Sequence, residues 1–75
     1  MYLNLQKEIG SSLIKQIYGQ VRSMILKGEL KADERLSSTR EMARNLNVSR
    51  NTVITAYEML IAEGYIRSVP GSGIY

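Results

Sequence analysis

Residues 35–64 read RLSSTREMARNLNVSRNTVITAYEMLIAEG, and the reading of this stretch decides the fold. Ser38 stands three residues ahead of Glu41, the spacing of a capping box. In that arrangement the Ser38 hydroxyl accepts from the Glu41 amide and the Glu41 carboxylate accepts from the Ser38 amide. A helix over about Thr39–Leu46 turns Met42, Ala43 and Leu46 inward and leaves Arg40 and Arg44 outside. Asn47 follows, one of the few non-glycine residues that tolerates a left-handed backbone, so the chain can turn there. Ser49 then caps a second helix, with Val48 and Val53 at the positions of a hydrophobic staple. Within that helix Val53, Ala56, Tyr57 and Leu60 share one face, opposite Asn51, Thr55 and Glu58 and flanked by Arg50 and Ile54. Ala43 and Ala56 are small enough to let the two helices cross closely. Apolar side chains at 42, 46, 48, 53 and 56 occupy the interior positions of a helix-turn-helix. A plain helical hairpin can show any one of these features; here caps, turn residue and interior pattern agree independently.

Charge concentrates on the same stretch. Between Arg35 and Thr52 there are four arginines (Arg35, Arg40, Arg44, Arg50) against a single acid, Glu41, while elsewhere six basic and six acidic residues cancel. The net charge of +3 therefore sits on the helix-turn-helix, where a polyanion would meet it. Chance clustering on a solvated surface is the plainer reading of four arginines alone, and it loses weight beside this motif. The chain contains neither cysteine nor histidine, which excludes a zinc finger, a disulfide frame and catalysis by imidazole or thiol. Glu58 and Glu63 are the acids near the ordered helix, and no nucleophile, paired base or metal set accompanies them, so an enzyme is disfavoured. No apolar run approaches the ~20 residues of a membrane span and the first residues lack a signal-peptide pattern, so no membrane partner and a cytoplasmic location are expected.

Working outward, residues 1–10 form an arm in which Leu3 and Leu5 allow either a short packed extension or a frayed end. Residues 12–28 read as a scaffold helix carrying Leu13, Ile14, Ile17, Tyr18, Val21, Met24 and Ile25 on one broad arc, with Lys15, Gln16, Gln20, Arg22, Ser23 and Lys27 on the remainder. Gly28 stops it, and Gly19 on its outer side weakens it by about 1 kcal/mol relative to alanine. The arc is wide enough for part of it to meet another domain or a second subunit. Leu30 and Leu36 anchor a charged loop, KADER, to the core. The helix-turn-helix spans 38–64, and 65–75 read as a wing: Tyr65–Ser68 as one strand, Pro70-Gly71-Ser72-Gly73 as the turn, Ile74–Tyr75 as the return. The tip, Gly71 and Ser72 included, lacks side-chain bulk, so its amides can approach a phosphate, and Arg67 can add a contact from the strand. PGSG lacks the GxGxxG spacing of a nucleotide loop. The expected architecture is mainly α with a small β-hairpin, a winged helix-turn-helix of three helices and a two-stranded wing. Because the chain stops at Tyr75 in mid-strand, it is expected to be a domain cut from a longer protein.

The segments SLIKQIYGQVRSMILKGEL, RLSSTREMARNLNVSRNTVITAYEMLIAEGYI and PGSG together resemble the N-terminal winged helix-turn-helix domain of GntR-type bacterial transcription regulators. VSRNTV, TAYEMLIAEGYI and the PGSG wing look most like the MocR branch. In that branch a linker and a large aminotransferase-like domain follow, holding pyridoxal phosphate as a sensor; the resemblance implies no cofactor site on these residues. A shorter GntR-type regulator without that domain is the alternative. The resemblance implies DNA contacts from Arg40, from Ser49, Arg50, Asn51 and Thr52, and from Gly71. It has departures: Ala32 and Ser37 stand where prolines are usual, and Ile54 where some members carry an arginine.

On this reading the third helix enters a major groove by its N-terminal end, and the wing meets an adjacent minor groove or backbone. Arg50 is the direct reader, since a guanidinium can bond both O6 and N7 of guanine; Asn51 can pair with adenine, and Ile54 or the Thr55 methyl can touch a thymine methyl. Ser49, Thr52, Arg40 and Arg44 are assigned to phosphates, where amides at both helix starts converge. Tyr57 has a hydroxyl able to reach a phosphate, but its spacing favours the core. The partner is then a double-stranded operator with paired half-sites, with dimerisation supplied by the missing domain. A protein-interaction module and an RNA binder are the other readings; the second lacks stacking aromatics on an open sheet.

Overall fold

The computed structural model describes residues 3–6 and 12–75, and the arm expected over 1–10 is seen only at 3–6. Helix α1 runs Leu13–Leu26, α2 Thr39–Leu46 and α3 Arg50–Ala62, followed by strands β1 at Ser68–Val69 and β2 at Gly73–Ile74. Each helix begins at a serine whose hydroxyl accepts an amide three residues on: Lys15 from Ser12, Glu41 from Ser38, Thr52 from Ser49. Each is one orphan donor satisfied, worth about 1 kcal/mol. α1 and α3 are followed by Gly28 (φ 78°) and Gly64 (φ 82°), and α2 ends on Asn47 at φ 56° and ψ 49°. The scaffold helix is thus shorter than the expected 12–28 by its caps.

Helix α3 is the centre of the molecule, packed against α1 on one side and α2 on the other. Its inner stripe (Val53, Ala56, Tyr57, Leu60) is buried, against Ile17 and Val21 of α1 and Met42 and Ala43 of α2. Leu30 and Leu36 are buried as well, which ties the loop between α1 and α2 to this core. The one polar atom of the stripe is provided for: Tyr57 Oη donates to the Ser37 carbonyl at 2.8 Å. That settles Tyr57 as a core residue that also pins the entry to α2.

The wing differs from expectation by a short shift toward its tip. Tyr65–Arg67 are not strand; β1 and β2 pair antiparallel with Ser68 opposite Ile74 and Val69 opposite Gly73. Gly73 therefore belongs to the return strand rather than the turn. Pro70 and Gly71 occupy the centre of a turn closed by Ser72 N–H to the Val69 carbonyl at 3.0 Å, with Gly71 at φ 77°, the arrangement a type II turn requires. Two further bonds of 2.9 Å between Arg67 and Tyr75 extend the ladder, and Leu36 N–H donates to the Ile74 carbonyl at 2.7 Å, so the loop before α2 lies along β2.

At the other end, residues 3–6 are packed, not frayed. Leu3 is in the core and Leu5 lies against it. Gln20 accepts from the Asn4 amide at 2.9 Å and donates to the Asn4 carbonyl at 2.8 Å; Gln16, one turn earlier, does the same for Gln6 at 2.7 and 3.0 Å. Two side-chain amides spaced i, i+4 on α1 thus match the two-residue repeat of an extended chain.

Candidate nucleic-acid interface

The turn between α2 and α3 does more than reverse the chain. Arg50, the first residue of α3, donates from Nε to Oγ1 of Thr39, the first residue of α2, at 3.3 Å. The starts of the two helices, where unpaired amides and the positive dipole ends lie, are therefore within one side chain's reach of each other. Local sequence does not distinguish Thr39; its role as the acceptor that orients Arg50 follows only from the crossing of the helices. The Nε contact leaves the terminal amino groups of Arg50, the pair that would grip a guanine edge, without a partner among the described residues. Arg50 and Asn51 are exposed, and Ile54 and Thr55 are half-buried on the same outward side. Residues 51, 54, 55 and 58 form the stripe opposite the buried one, at helical spacing.

Charge along α3 is graded. Its start holds Arg50, and the packed partner helix α2 exposes Arg40 and Arg44, whereas Glu58 and Glu63 lie toward its end. A polyanion is attracted to the first half and repelled by the second. Ser49 and Thr52 close the tip: their hydroxyls are 2.8 Å apart, and Ser49 Oγ also accepts the Thr52 amide at 3.1 Å. At α2, Ser38 N–H donates to the Glu41 carboxylate at 3.2 Å and Glu41 N–H to Ser38 Oγ at 3.1 Å, both halves of the box. Those hydrogen bonds, with Arg35 and Arg44 nearby, hold the Glu41 carboxyl below the usual carboxylate range. The single acid in the basic stretch is thus internally engaged.

The wing residues separate into two groups. Gly71 is exposed at the apex of the turn, its amide unobstructed by a side chain. Ser72 shares a 2.6 Å hydrogen bond with the Tyr75 hydroxyl. Arg67, expected to add a phosphate contact from the strand, donates from its guanidinium to Asp33 at 2.7 Å and lies 5.5 Å from the Tyr75 ring centroid. Its charge is compensated within the molecule, which no reading of local sequence could show because Asp33 is 34 positions away. A cleft of about 380 Å³ adjoins this pair, between the loop at 31–34 and Tyr65–Arg67. Lys31 and Arg67 balance Asp33 and Glu34 at its rim, so it has no field for an anion.

Among the described residues no group of three or more acidic side chains could hold a metal ion, and no helix is long and apolar enough to cross a membrane. The described lysines, Lys15, Lys27 and Lys31, are all exposed.

Comparison with known proteins places this geometry. The family model described as bacterial regulatory proteins, gntR family, matches residues 13–75. A relative from Rhizobium meliloti, the "Probable rhizopine catabolism regulatory protein MocR", is 51% identical over 73 residues. That match takes in 97% of this chain but only 15% of the relative. Among solved structures, YtrA from Sulfolobus acidocaldarius, a GntR-family transcription factor, superposes with a TM-score of 0.86 at 38% identity, covering 91% of this chain and 72% of that one. The DNA-binding domain of AraR, solved in complex with operator ORE1, superposes with a TM-score of 0.81 at 25% identity over 100% and 92%.

Proposed function

This chain belongs to the gntR family of bacterial regulatory proteins, and on that premise we propose that it is the operator-binding part of a transcription regulator of the MocR type. It binds double-stranded DNA sequence-specifically, α3 entering the major groove by its N-terminal end. The observation that carries this reading is the contact between the two helix starts at Thr39 and Arg50, on a helix pair whose arginines, Arg40, Arg44 and Arg50, are all exposed. Phosphates meet the amides and dipoles of both helices together with Arg40, Arg44, Ser49 and Thr52. Arg50 reads a guanine, Asn51 an adjacent base, and Ile54 and Thr55 supply apolar contact to a thymine methyl. Gly71 brings the wing amide to the backbone of the flanking groove.

A single module of this size makes few phosphate contacts and binds weakly. Useful specificity comes from two copies on paired half-sites, and we assign their dimerisation to the greater part of such regulators that this chain does not span. Pyridoxal phosphate, where such a regulator uses it, belongs to that part too. The role is regulatory, in the cytoplasm, without catalysis by these residues.

Fluorescence anisotropy with labelled duplexes tests the reading. The expected result is binding that weakens steeply with added salt and improves on the operator relative to scrambled duplex. No affinity for any duplex in dilute buffer would overturn it and favour a protein-interaction module.

A further inference from the structure

Arg35 lies between the wing and α2, outside the set of contacts assigned above. The residue is exposed, and its side chain crosses the backbone of Gly73 so closely that a Cβ at 73 would stand 2.8 Å from Nε and 3.6 Å from Cδ and Cγ. Residue 73 also has φ 141°, which side-chain-bearing residues rarely adopt. Glycine there leaves the guanidinium a seat on β2. The seat is fixed in place by the neighbouring Leu36 amide, bonded to the Ile74 carbonyl at 2.7 Å. On its other side Arg35 is near enough to the first turn of α2 to act electrostatically on Glu41. Yet the guanidinium makes no hydrogen bond and no ion pair with any described residue. The wing's other cation, Arg67, is matched by Asp33.

We propose that Arg35, laid across Gly73, is a phosphate-binding residue that joins the wing to the α2–α3 tip on one continuous DNA backbone. This deepens the DNA-binding reading and rests on it. A guanidinium already seated against a strand loses less freedom on gripping a phosphodiester than one on a free stem, and its charge, in no ion pair with a described residue, displaces a counterion. Gly73 serves this residue rather than the turn, which Gly71 makes.

The test uses this 75-residue chain and a labelled duplex of mixed sequence, with affinity followed across a salt series. Arg35→Met keeps an unbranched stem over Gly73 and removes the charge. The expected result is weaker binding to this duplex and to one of shuffled sequence alike, and a salt slope reduced by about one unit. Arg35→Lys retains the slope, and Lys27→Met, a charge removed at the far end of α1, leaves slope and affinity unchanged. Gly73→Ala, which displaces Arg35, weakens binding in the same non-selective way. Circular dichroism melts matching the parent show that Arg35→Met remains folded. Parent-like slope and affinity in Arg35→Met overturn the proposal while leaving DNA binding intact; absence of duplex binding by the parent overturns both.

Discussion

Replacing Arg50 by alanine removes an exposed side chain whose Nε is held by Thr39 and whose outer amino groups have no partner among the described residues. The expected loss is about 1–3 kcal/mol on the operator, with relaxed preference at one base pair, read by competition among single-base operator variants. Arg44→Ala acts differently: it should weaken every duplex alike and flatten the salt slope by about one unit, because a phosphate contact carries no base information. Tyr57 makes its prediction on the inner side of the same helix. Burial pushes its phenol above the ordinary tyrosine range. A group whose folded pKa is raised contributes stability that is complete below its unfolded pKa and lost as pH rises through and beyond it. Alkaline unfolding followed by tyrosinate absorbance should therefore ionise Tyr57 only with loss of structure, and Tyr57→Phe should remove that part of the alkaline dependence. At neutral pH the same variant should cost about 1 kcal/mol or more, since the Ser37 carbonyl loses its donor.

Helix α2 has eight residues and depends on its ends. The Glu41 carboxyl is depressed, so its contribution is present above the ordinary glutamate pKa and lost as pH falls through the lowered one. Urea melts should find Glu41→Gln less stable than the parent at neutral pH, with the gap closing in acid. Helix α1 offers the opposite change: Gly19 is exposed and a Cβ there meets nothing within 4 Å, so Gly19→Ala should stabilise by about 1 kcal/mol and raise the melting temperature. These elements were legible because their ends are written locally: Ser38 with Glu41, Asn47, Ser49, and glycines at 28 and 64. The strands were less so. Tyr65–Arg67 carry strand-like residues, but the type II turn at Pro70-Gly71 sets the register and moves the pairing to Ser68 and Gly73. On the helices the period already tells which side chains face outward. On loops the neighbours are not written locally: Arg67 meets Asp33, and Arg35 meets Gly73, through pairings that exist only after the chain has closed on itself.

For the molecule as a whole, one core of modest size implies a total stability of a few kcal/mol, with little reserve. Leu60 is fully buried between the helices, and Leu60→Ala should cost about 2–5 kcal/mol, enough to leave much of the chain unfolded in a thermal melt. The 75-residue chain is expected to sediment as a monomer or weak dimer at micromolar concentration; a tight dimer would contradict the assignment of dimerisation elsewhere. The attachment at residues 3–6 behaves as a separate matter. It is fastened to α1 by the carboxamides of Gln16 and Gln20 and by Leu3, with no backbone ladder to any described residue. Such a zip can open tooth by tooth without melting the helix beneath it, so deuterium should enter the Asn4 and Gln6 amides well before it reaches Val53 or Leu60. A single carboxamide lost at position 20 would release the strap there and leave the helical body standing.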